Sequence, residues 1–130
     1  MSTASETTMV RVMVVEDQAD VRHLLASWID QEPDLKVVAQ AGSLDEARYQ
    51  ASSSQGCDVA VVDLGLPDGN GADLIGELRQ LCPGCAVLIL SASLNPSSLA
   101  RASEAGAEEI MDKFAALEEV VDAIRRLGKG

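Results

Sequence analysis

Short apolar runs alternate with helical patterns along the chain. Runs rich in Val, Ile, Leu and Ala predict β-strands over residues 10–15, 35–40, 58–62, 86–90 and 108–111. Apolar residues at helical spacing predict helices over residues 21–29, 43–52, 74–81, 96–105 and 117–127. Successive strand–helix units are typical of parallel strands joined by right-handed crossovers. The pattern predicts an α/β fold: a doubly wound, five-stranded parallel sheet of flavodoxin-like order 2-1-3-4-5 with helices on both faces.

Capping signals mark the ends of several predicted helices. Ser43 lies three residues before a glutamate, which is the spacing of a capping box. Asn95 followed by Pro96 predicts the start of the fourth helix, and Gly106 predicts its end. Gly128 follows two arginines in the last helical pattern, so we expect that helix to end there.

Composition predicts one domain and excludes two classes of partner. The 130 residues, 47% of them apolar, suffice for one buried core, and we expect a flexible tail over residues 1–9, a domain over residues 10–127 and the start of a linker over residues 128–130. No apolar run reaches the roughly 18–20 residues of a membrane span, and residues 1–8 lack signal-peptide features, which predicts a cytoplasmic location without membrane contact. A formal charge of −11 argues against nucleic-acid contact by this domain.

The three cysteines suit reduced thiols, because their number is odd and no export signal is present. Cys82 and Cys85 have the C-x-x-C spacing that redox dithiols and zinc half-sites use. A redox pair normally opens a helix, whereas this pair follows a helical pattern and precedes a strand, and no second pair completes a zinc site. We interpret it as a Pro-Gly turn flanked by thiols, with Cys57 and Cys82 as small core or edge residues.

Polar side chains follow four of the predicted strands. Glu16 and Asp17 come after the first strand, Asp63 after the third, Ser91 after the fourth and Lys113 just beyond the fifth. The carboxyl ends of parallel strands form one edge of a sheet, where such folds bind ligands. We therefore expect three carboxylates, a hydroxyl and an ammonium group to converge at this edge.

Carboxylates this close repel one another unless a cation neutralises them. A hard divalent ion is implied, and Mg²⁺ fits because it takes oxygen ligands and keeps positions for water and phosphate oxygens. Asp17 and Asp63 are the candidate direct ligands, Glu16 binds through water, and the backbone carbonyl of Gly65 completes the protein ligands.

Asp63 is the candidate nucleophile toward phosphorus, because a carboxylate can form an acyl phosphate. Phosphoryl transfer spreads negative charge over the equatorial oxygens in the transition state. Lys113 and the Ser91 hydroxyl, with the backbone N–H of Ala92, could stabilise that charge.

The chain resembles the receiver domain of two-component response regulators (the CheY-like superfamily) from residue 10 to residue 127. The matching segments are residues 14–17, 61–71, 90–93, 105–107 and 112–113. The resemblance implies that Asp63 accepts a phosphoryl group from a sensor histidine kinase. It also implies a phosphoacceptor that catalyses its own phosphorylation and dephosphorylation and is not an enzyme in the usual sense.

Residues 32–38 and 123–128 look most like the branch whose receivers precede a LuxR-type helix-turn-helix output domain. That likeness implies transcription regulation, and the family implies a partner or homodimer surface on helix 4, strand 5 and helix 5. The alternatives are a stand-alone receiver that acts by protein–protein contact and a magnesium-dependent aspartyl-phosphate phosphatase. A phosphatase of that kind would have a D-x-D motif whose first aspartate is the nucleophile, whereas this chain has Asp63-Leu64-Gly65.

Two positions depart from the family pattern. The family usually has an aromatic residue three positions before the lysine, where this chain has Ile110. The lysine is usually followed by a cis proline, where this chain has Phe114, for which a cis bond would cost roughly 2.5–4 kcal/mol. We expect Ser91 and Ile110 to form a switch with altered coupling, because no ring is present to change rotamer.

Overall fold

A parallel sheet of five strands organises the protein. The structure, a computed structural model, describes residues 9–53, 56–92 and 95–129, so most of the predicted tail and Gly130 lie outside the described residues. The strands are β1 (Val10–Val15), β2 (Leu35–Ala41), β3 (Val59–Asp63), β4 (Ala86–Ser91) and β5 (Glu109–Asp112). Their order is β2-β1-β3-β4-β5, and neighbouring strands run parallel. This confirms the predicted order 2-1-3-4-5.

Helices cover both faces of the sheet, as predicted. They are α1 (Ala19–Asp30), α2 (Leu44–Ser53), α3 (Ala72–Leu81), α4 (Pro96–Ala105) and α5 (Leu117–Lys129). In β3, Ala60 and Val62 pack into a cluster with α2, α3 and α4, whereas Val59 and Val61 pack into a second cluster with α1 and α5. Every residue of β3 is buried, because a central strand with helices on both sides has no solvent-facing surface. No helix within the described ranges is both long enough and apolar enough to cross a bilayer.

The predicted caps form. The Glu46 N–H donates to Ser43 Oγ at 3.1 Å, and the Ser98 N–H donates to Asn95 Oδ1 at 2.9 Å. Gly106 ends α4 with φ 103°, a left-handed conformation that glycine adopts without steric cost. These capping signals are local in sequence, which is why they could be read without the fold.

Four of the five strands end one residue beyond their predicted ends, and two of these ends carry candidate site residues. Asp63 is the last residue of β3 and pairs with Leu90, while Ser91 is the last residue of β4 and pairs with Asp112. Backbone pairing continues past the apolar run because it does not depend on side-chain polarity. The segment after β3, predicted as a loop, also holds a small antiparallel hairpin in which residues 65–66 pair with residues 69–70.

The predicted end of the last helix at Gly128 is wrong, because α5 continues through Gly128 to Lys129. The backbone of Gly128 lies against Val10 at the start of β1. A Cβ added at Gly128 would overlap Val10 Cγ1 and lie 2.9 Å from Cγ2. Glycine at this position therefore allows the helix to approach the sheet closely and is not a helix stop.

Paired glycine substitutions test this reading. We expect Gly128→Ala to lower the free energy of unfolding, because overpacking costs about 1–3 kcal/mol and exceeds the gain in helix propensity of about 1 kcal/mol. Gly76→Ala is the matched control, since that helical glycine has no atom within 4 Å of an added Cβ. Gly76→Ala should raise stability in urea unfolding. Equal and positive changes for both variants would contradict the close approach.

Candidate functional site

The residues predicted from strand ends do converge at one edge of the sheet. They surround a cleft of about 440 Å³, here called the acidic cleft. Among its lining residues are Asp17, Asp63, Gly65, Ser91 and Lys113. Glu16 is not among the lining residues and is 3% exposed, whereas Asp17, its neighbour in sequence, is exposed. The buried and the exposed carboxylate thus differ in environment although they are adjacent in the chain.

Lys113 joins two of the carboxylates. Its Nζ lies 2.9 Å from Asp63 Oδ2 and 3.0 Å from Glu16 Oε1. The Lys113 side chain is 15% exposed, and the two carboxylates are almost fully buried. The Lys113 backbone N–H donates to the Ser91 carbonyl at 2.9 Å, so β4 holds the base of the lysine in place. The ammonium group is therefore positioned by the sheet and points at Asp63.

Burial and charge act in opposite directions on the ionisable groups of the acidic cleft. Burial raises the pKa of Glu16, against hydrogen bonds from the Gln18 N–H and Lys113 that lower it. Burial would lower the pKa of Lys113, but its hydrogen bonds to Asp63 and Glu16 outweigh that effect and the pKa is raised. Lys113 is therefore protonated at neutral pH.

Three carboxylates meet closely enough to share one cation. One oxygen each from Glu16, Asp17 and Asp63 lies within 4.8 Å of the other two. Among the residues that the structure describes, this is the one group of three or more His, Cys, Asp or Glu side chains with that geometry. The donors are hard oxygen atoms, which suit a divalent cation of the same character. The cluster can hold a metal ion beside the acidic cleft.

The backbone around the acids is fixed by local hydrogen bonds. The Gln18 N–H donates to Glu16 Oε2 at 3.0 Å, and Arg22 donates to the Glu16 carbonyl at 2.8 Å. The Gly65 N–H donates to Asp63 Oδ1 at 3.2 Å. Both turns therefore orient their carboxylates before any ligand binds.

Gly71 closes the loop after β3 against the backbone of Asp63. Its N–H donates to the Leu64 carbonyl at 2.8 Å. An added Cβ would overlap the Asp63 carbonyl oxygen and lie 2.9 Å from Val62 Cγ1. Glycine is required here because a side chain would displace the strand end that carries Asp63.

Sequence reasoning missed some residues around the acidic cleft. Asn70 and Ser98 also line it, and neither stands at the end of a long strand, which was the signal used to find the others. Asp68 accepts hydrogen bonds from the N–H groups of Leu44 (2.8 Å) and Asp45 (3.1 Å), so it caps α2 from a distant loop. Only the folded chain reveals that contact, because its partners are more than 20 positions apart in sequence.

The two switch candidates occupy different environments. Ser91 is 4% exposed at the end of β4, where it lines the acidic cleft. Ile110 pairs with Ile89 in the sheet and is half-buried against the apolar cluster that includes α3 and α4. Phe114 is 79% exposed, and no cis peptide bond occurs in the described ranges. The lysine is thus followed by a trans peptide and a solvent-facing ring.

Comparisons with known proteins agree with this geometry. The family model described as the response regulator receiver domain matches residues 12–125. The chain is 35% identical to the DNA-binding transcriptional activator DevR/DosR of Mycobacterium tuberculosis and 33% identical to the transcriptional regulatory protein UhpA of Salmonella typhimurium. Each alignment covers 94% of this chain, but only 56% and 60% of those longer relatives.

Comparison with a solved structure shows that the fold is also that of a receiver domain. The receiver domain of the response regulator NarL from Mycobacterium tuberculosis superimposes with a TM-score of 0.86 at 26% identity, covering 94% of this chain and 98% of that one. The family model spans nearly the whole described sheet, including the strand ends that carry the acids and the lysine. The chain belongs to the response regulator receiver domains of two-component systems.

Proposed function

We propose that Asp63 accepts a phosphoryl group from the phosphohistidine of a sensor histidine kinase and that the modified domain then switches a partner or output domain. The observation that carries this proposal is the placement of Asp63. Its Oδ2 is 2.9 Å from the Lys113 ammonium, and its carboxylate belongs to the three-acid cluster at the acidic cleft. Neither Asp17 nor Glu16 combines a place in the lining with contact to the lysine.

We propose Mg²⁺ as the cation. Three carboxylates facing one ammonium group leave two negative charges, which a divalent ion neutralises. Asp17, Asp63 and the Gly65 carbonyl would hold the ion directly, and Glu16 would hold it through water, because Glu16 lies deeper and already contacts Lys113. When bound, Mg²⁺ would draw charge from the phosphoryl oxygens.

The transfer itself forms one bond and breaks one. A carboxylate oxygen of Asp63 bonds to phosphorus while the phosphorus–nitrogen bond of the phosphohistidine breaks, and the electron pair leaves with the imidazole. The Lys113 ammonium and the Ser91 hydroxyl compensate the charge that develops on the transferred oxygens. Water later attacks the phosphorus of the acyl phosphate, which releases inorganic phosphate and returns the carboxylate. The domain thus catalyses the phosphorylation and dephosphorylation of its own aspartate. A D-x-D phosphatase would have a second aspartate at the position of Gly65.

Transcription regulation is the output we propose. DevR/DosR and UhpA are transcriptional regulators and extend well beyond the aligned region, so a DNA-binding segment would lie outside these residues. A formal charge of −11 makes nucleic-acid contact by this domain unfavourable. The alternative is a stand-alone receiver that acts by protein contact or by forming a homodimer. Sizing of the phosphorylated chain would report the homodimer.

We also propose that Ser91 carries the switch without a rotating ring. Movement of its hydroxyl toward the phosphoryl group would pull the end of β4, which pairs with β5 through Ser91 and Asp112. Ile110 is aliphatic and half-buried, so it adds packing and no aromatic rotamer change. The movement transmitted to α4 and β5 is therefore smaller than an aromatic residue would give.

Phosphorylation with a small donor tests the assignment of Asp63. Incubation with Mg²⁺ and acetyl phosphate should raise the intact mass by one phosphoryl group, and Asp63→Asn should abolish the rise. Asp20→Asn, an exposed position on α1, is the matched control and should behave as wild type. A phosphoryl group on Asp63→Asn would move the acceptor elsewhere and overturn the proposal.

The same sample tests the switch by NMR with beryllofluoride in place of phosphate. We expect large amide shift changes near Ser91 and small ones in α4 and β5. Ile110→Tyr should enlarge the α4 and β5 changes, because it supplies the missing ring. Equal responses in wild type and Ile110→Tyr would refute the ring-free switch.

An apolar groove beside the acidic cleft supports a protein donor. It holds about 180 Å³ between α1 and α5, and its lining includes Leu24, Leu25, Leu117 and Val120 together with Lys113. Leu24 is 58% exposed although it stands in the apolar stripe of α1. An exposed apolar patch is typical of a protein contact surface. Its position next to Lys113 would bring the donor histidine to Asp63.

Kinase docking and chemistry can be separated by two substitutions of exposed apolar residues. Leu24→Ser should slow phosphotransfer from a histidine kinase by roughly tenfold, which corresponds to about 1.4 kcal/mol. The rate with acetyl phosphate should not change, since Leu24 does not line the acidic cleft. Tyr49→Ser is the matched control, because Tyr49 is 69% exposed on α2. If both variants slow transfer equally, the apolar groove is not the docking surface.

A further inference from the structure

Three thiols gather at the end of the sheet opposite the acidic cleft. Cys57 precedes β3, Cys85 precedes β4, and Cys82 follows α3. All three are free and buried, with exposed fractions of 7%, 2% and 5% respectively. They belong to one apolar cluster on the α2 and α3 face. We call them the thiol cluster.

Two sulfur atoms of the thiol cluster touch. Cys57 Sγ and Cys85 Sγ lie 3.2 Å apart although the residues are 28 positions apart in sequence. A disulfide places its sulfur atoms about 2.05 Å apart, so only a small approach separates this contact from a bond. The C-x-x-C spacing places Cys82 near Cys85 in sequence, but the fold brings Cys57 Sγ against Cys85 Sγ.

The backbone on both sides of this contact is held in place. The Ala86 N–H donates to the Asp58 carbonyl at 2.9 Å, which joins the starts of β3 and β4. The Cys85 N–H donates to the Cys82 carbonyl at 2.9 Å, which closes the Pro-Gly turn. Arg11 pairs with the Asp58 carboxylate at 3.1 Å. Hydrogen bonds immediately beside both cysteines therefore fix the backbone from which the two neighbouring side chains extend.

Solvent reaches one member of the pair. A second cleft of about 370 Å³ is lined by Cys57 and Cys82 together with residues 83–84, and Cys85 is not among its lining residues. A small oxidant entering this cleft can reach Cys57 and Cys82, and Cys57 is the one whose sulfur lies 3.2 Å from Cys85 Sγ. This order makes Cys57 the thiol that attacks the peroxide and Cys85 the resolving thiol.

We propose that Cys57 and Cys85 are a reversible redox modification site that hydrogen peroxide converts to a disulfide joining the starts of β3 and β4. Cys57 sulfur attacks the peroxide, the oxygen–oxygen bond breaks, and a sulfenic acid and one water form. Cys85 sulfur then displaces the hydroxyl group as a second water and the sulfur–sulfur bond forms. Two thiols lose two electrons and two protons, and one hydrogen peroxide becomes two waters.

The environment makes this oxidation slow at neutral pH. The hydrogen bond with Cys85 and burial raise the pKa of the Cys57 thiol, so little of the reactive thiolate is present. The rate should therefore increase as the pH rises. The thiol cluster is not a metal cage, because among the described residues the acidic group alone brings three ligand atoms within 4.8 Å of one another.

We expect the disulfide to have a large effect on the thermal stability of the domain and only a small effect on the phosphorylation of Asp63. The bridge closes a loop that holds β3, the hairpin and α3, and it restricts the unfolded chain. We expect Tm to rise by roughly 5–10 °C. Asp63 and Ser91 lie at the opposite ends of the two joined strands, so the rate with acetyl phosphate should change less than about twofold.

Intact-mass and thiol measurements on the full chain test the proposal. After treatment with hydrogen peroxide we expect a mass lower by two hydrogen atoms and a fall from three free thiols to one. Peptide mapping should join Cys57 to Cys85, and a thiol reductant should restore the starting mass and Tm. Mapping and Tm on the wild-type chain need no variant and remain decisive if a variant fails to fold.

Variants separate this pair from its rivals. Cys82→Ser should still form the bridge and gain the same Tm, whereas Cys85→Ser should do neither. A bridge from Cys82 to either neighbour, oxidation of Cys57 to sulfinic acid without a bridge, or three unmodified thiols after prolonged treatment at pH 8.5, near the ordinary pKa of a cysteine thiol, would each overturn the proposal.

Discussion

The central constraint on this structure is the electrostatic repulsion between three carboxylates held together at one edge of the sheet, which positive charge must offset. Glu16 and Asp63 are buried, and Asp17 lies close enough for all three to share one ion. Water cannot screen the buried pair well, so positive charge must come from the protein or from a bound ion. Lys113 supplies part of it by contacting both buried acids, and the remaining negative charge leaves a cluster that can hold a cation.

The rigid sheet makes this arrangement usable for chemistry. Asp63 and Ser91 end neighbouring strands, and the Lys113 N–H donates to the Ser91 carbonyl, so backbone pairing sets the separation of the functional groups. Gly71 packs directly on the Asp63 backbone, which leaves the strand end no room to shift. Groups held this way need little reorganisation when charge develops on a phosphoryl group.

Local patterns predicted most of the fold and the polar residues at the strand ends. Strand and helix periods, the Asn95 cap and the Gly106 stop each depend on a few consecutive residues, and each is found in the structure. What failed depends on contacts between distant segments. Gly128 looked like a helix stop because its close approach to Val10 has no local signal. The contact of Cys57 with Cys85 has no local signal either, because the two residues are 28 positions apart in sequence.

The central claim is that Lys113 and a divalent ion share the neutralisation of the same carboxylates, and calorimetric titration with Mg²⁺ tests it most directly. Removing the ammonium group in Lys113→Met should tighten Mg²⁺ binding by about 5–10-fold, because the ion then faces the acids without a competing cation. Asp17→Asn should weaken binding in the same assay. Unchanged or weaker Mg²⁺ binding by Lys113→Met would contradict the account.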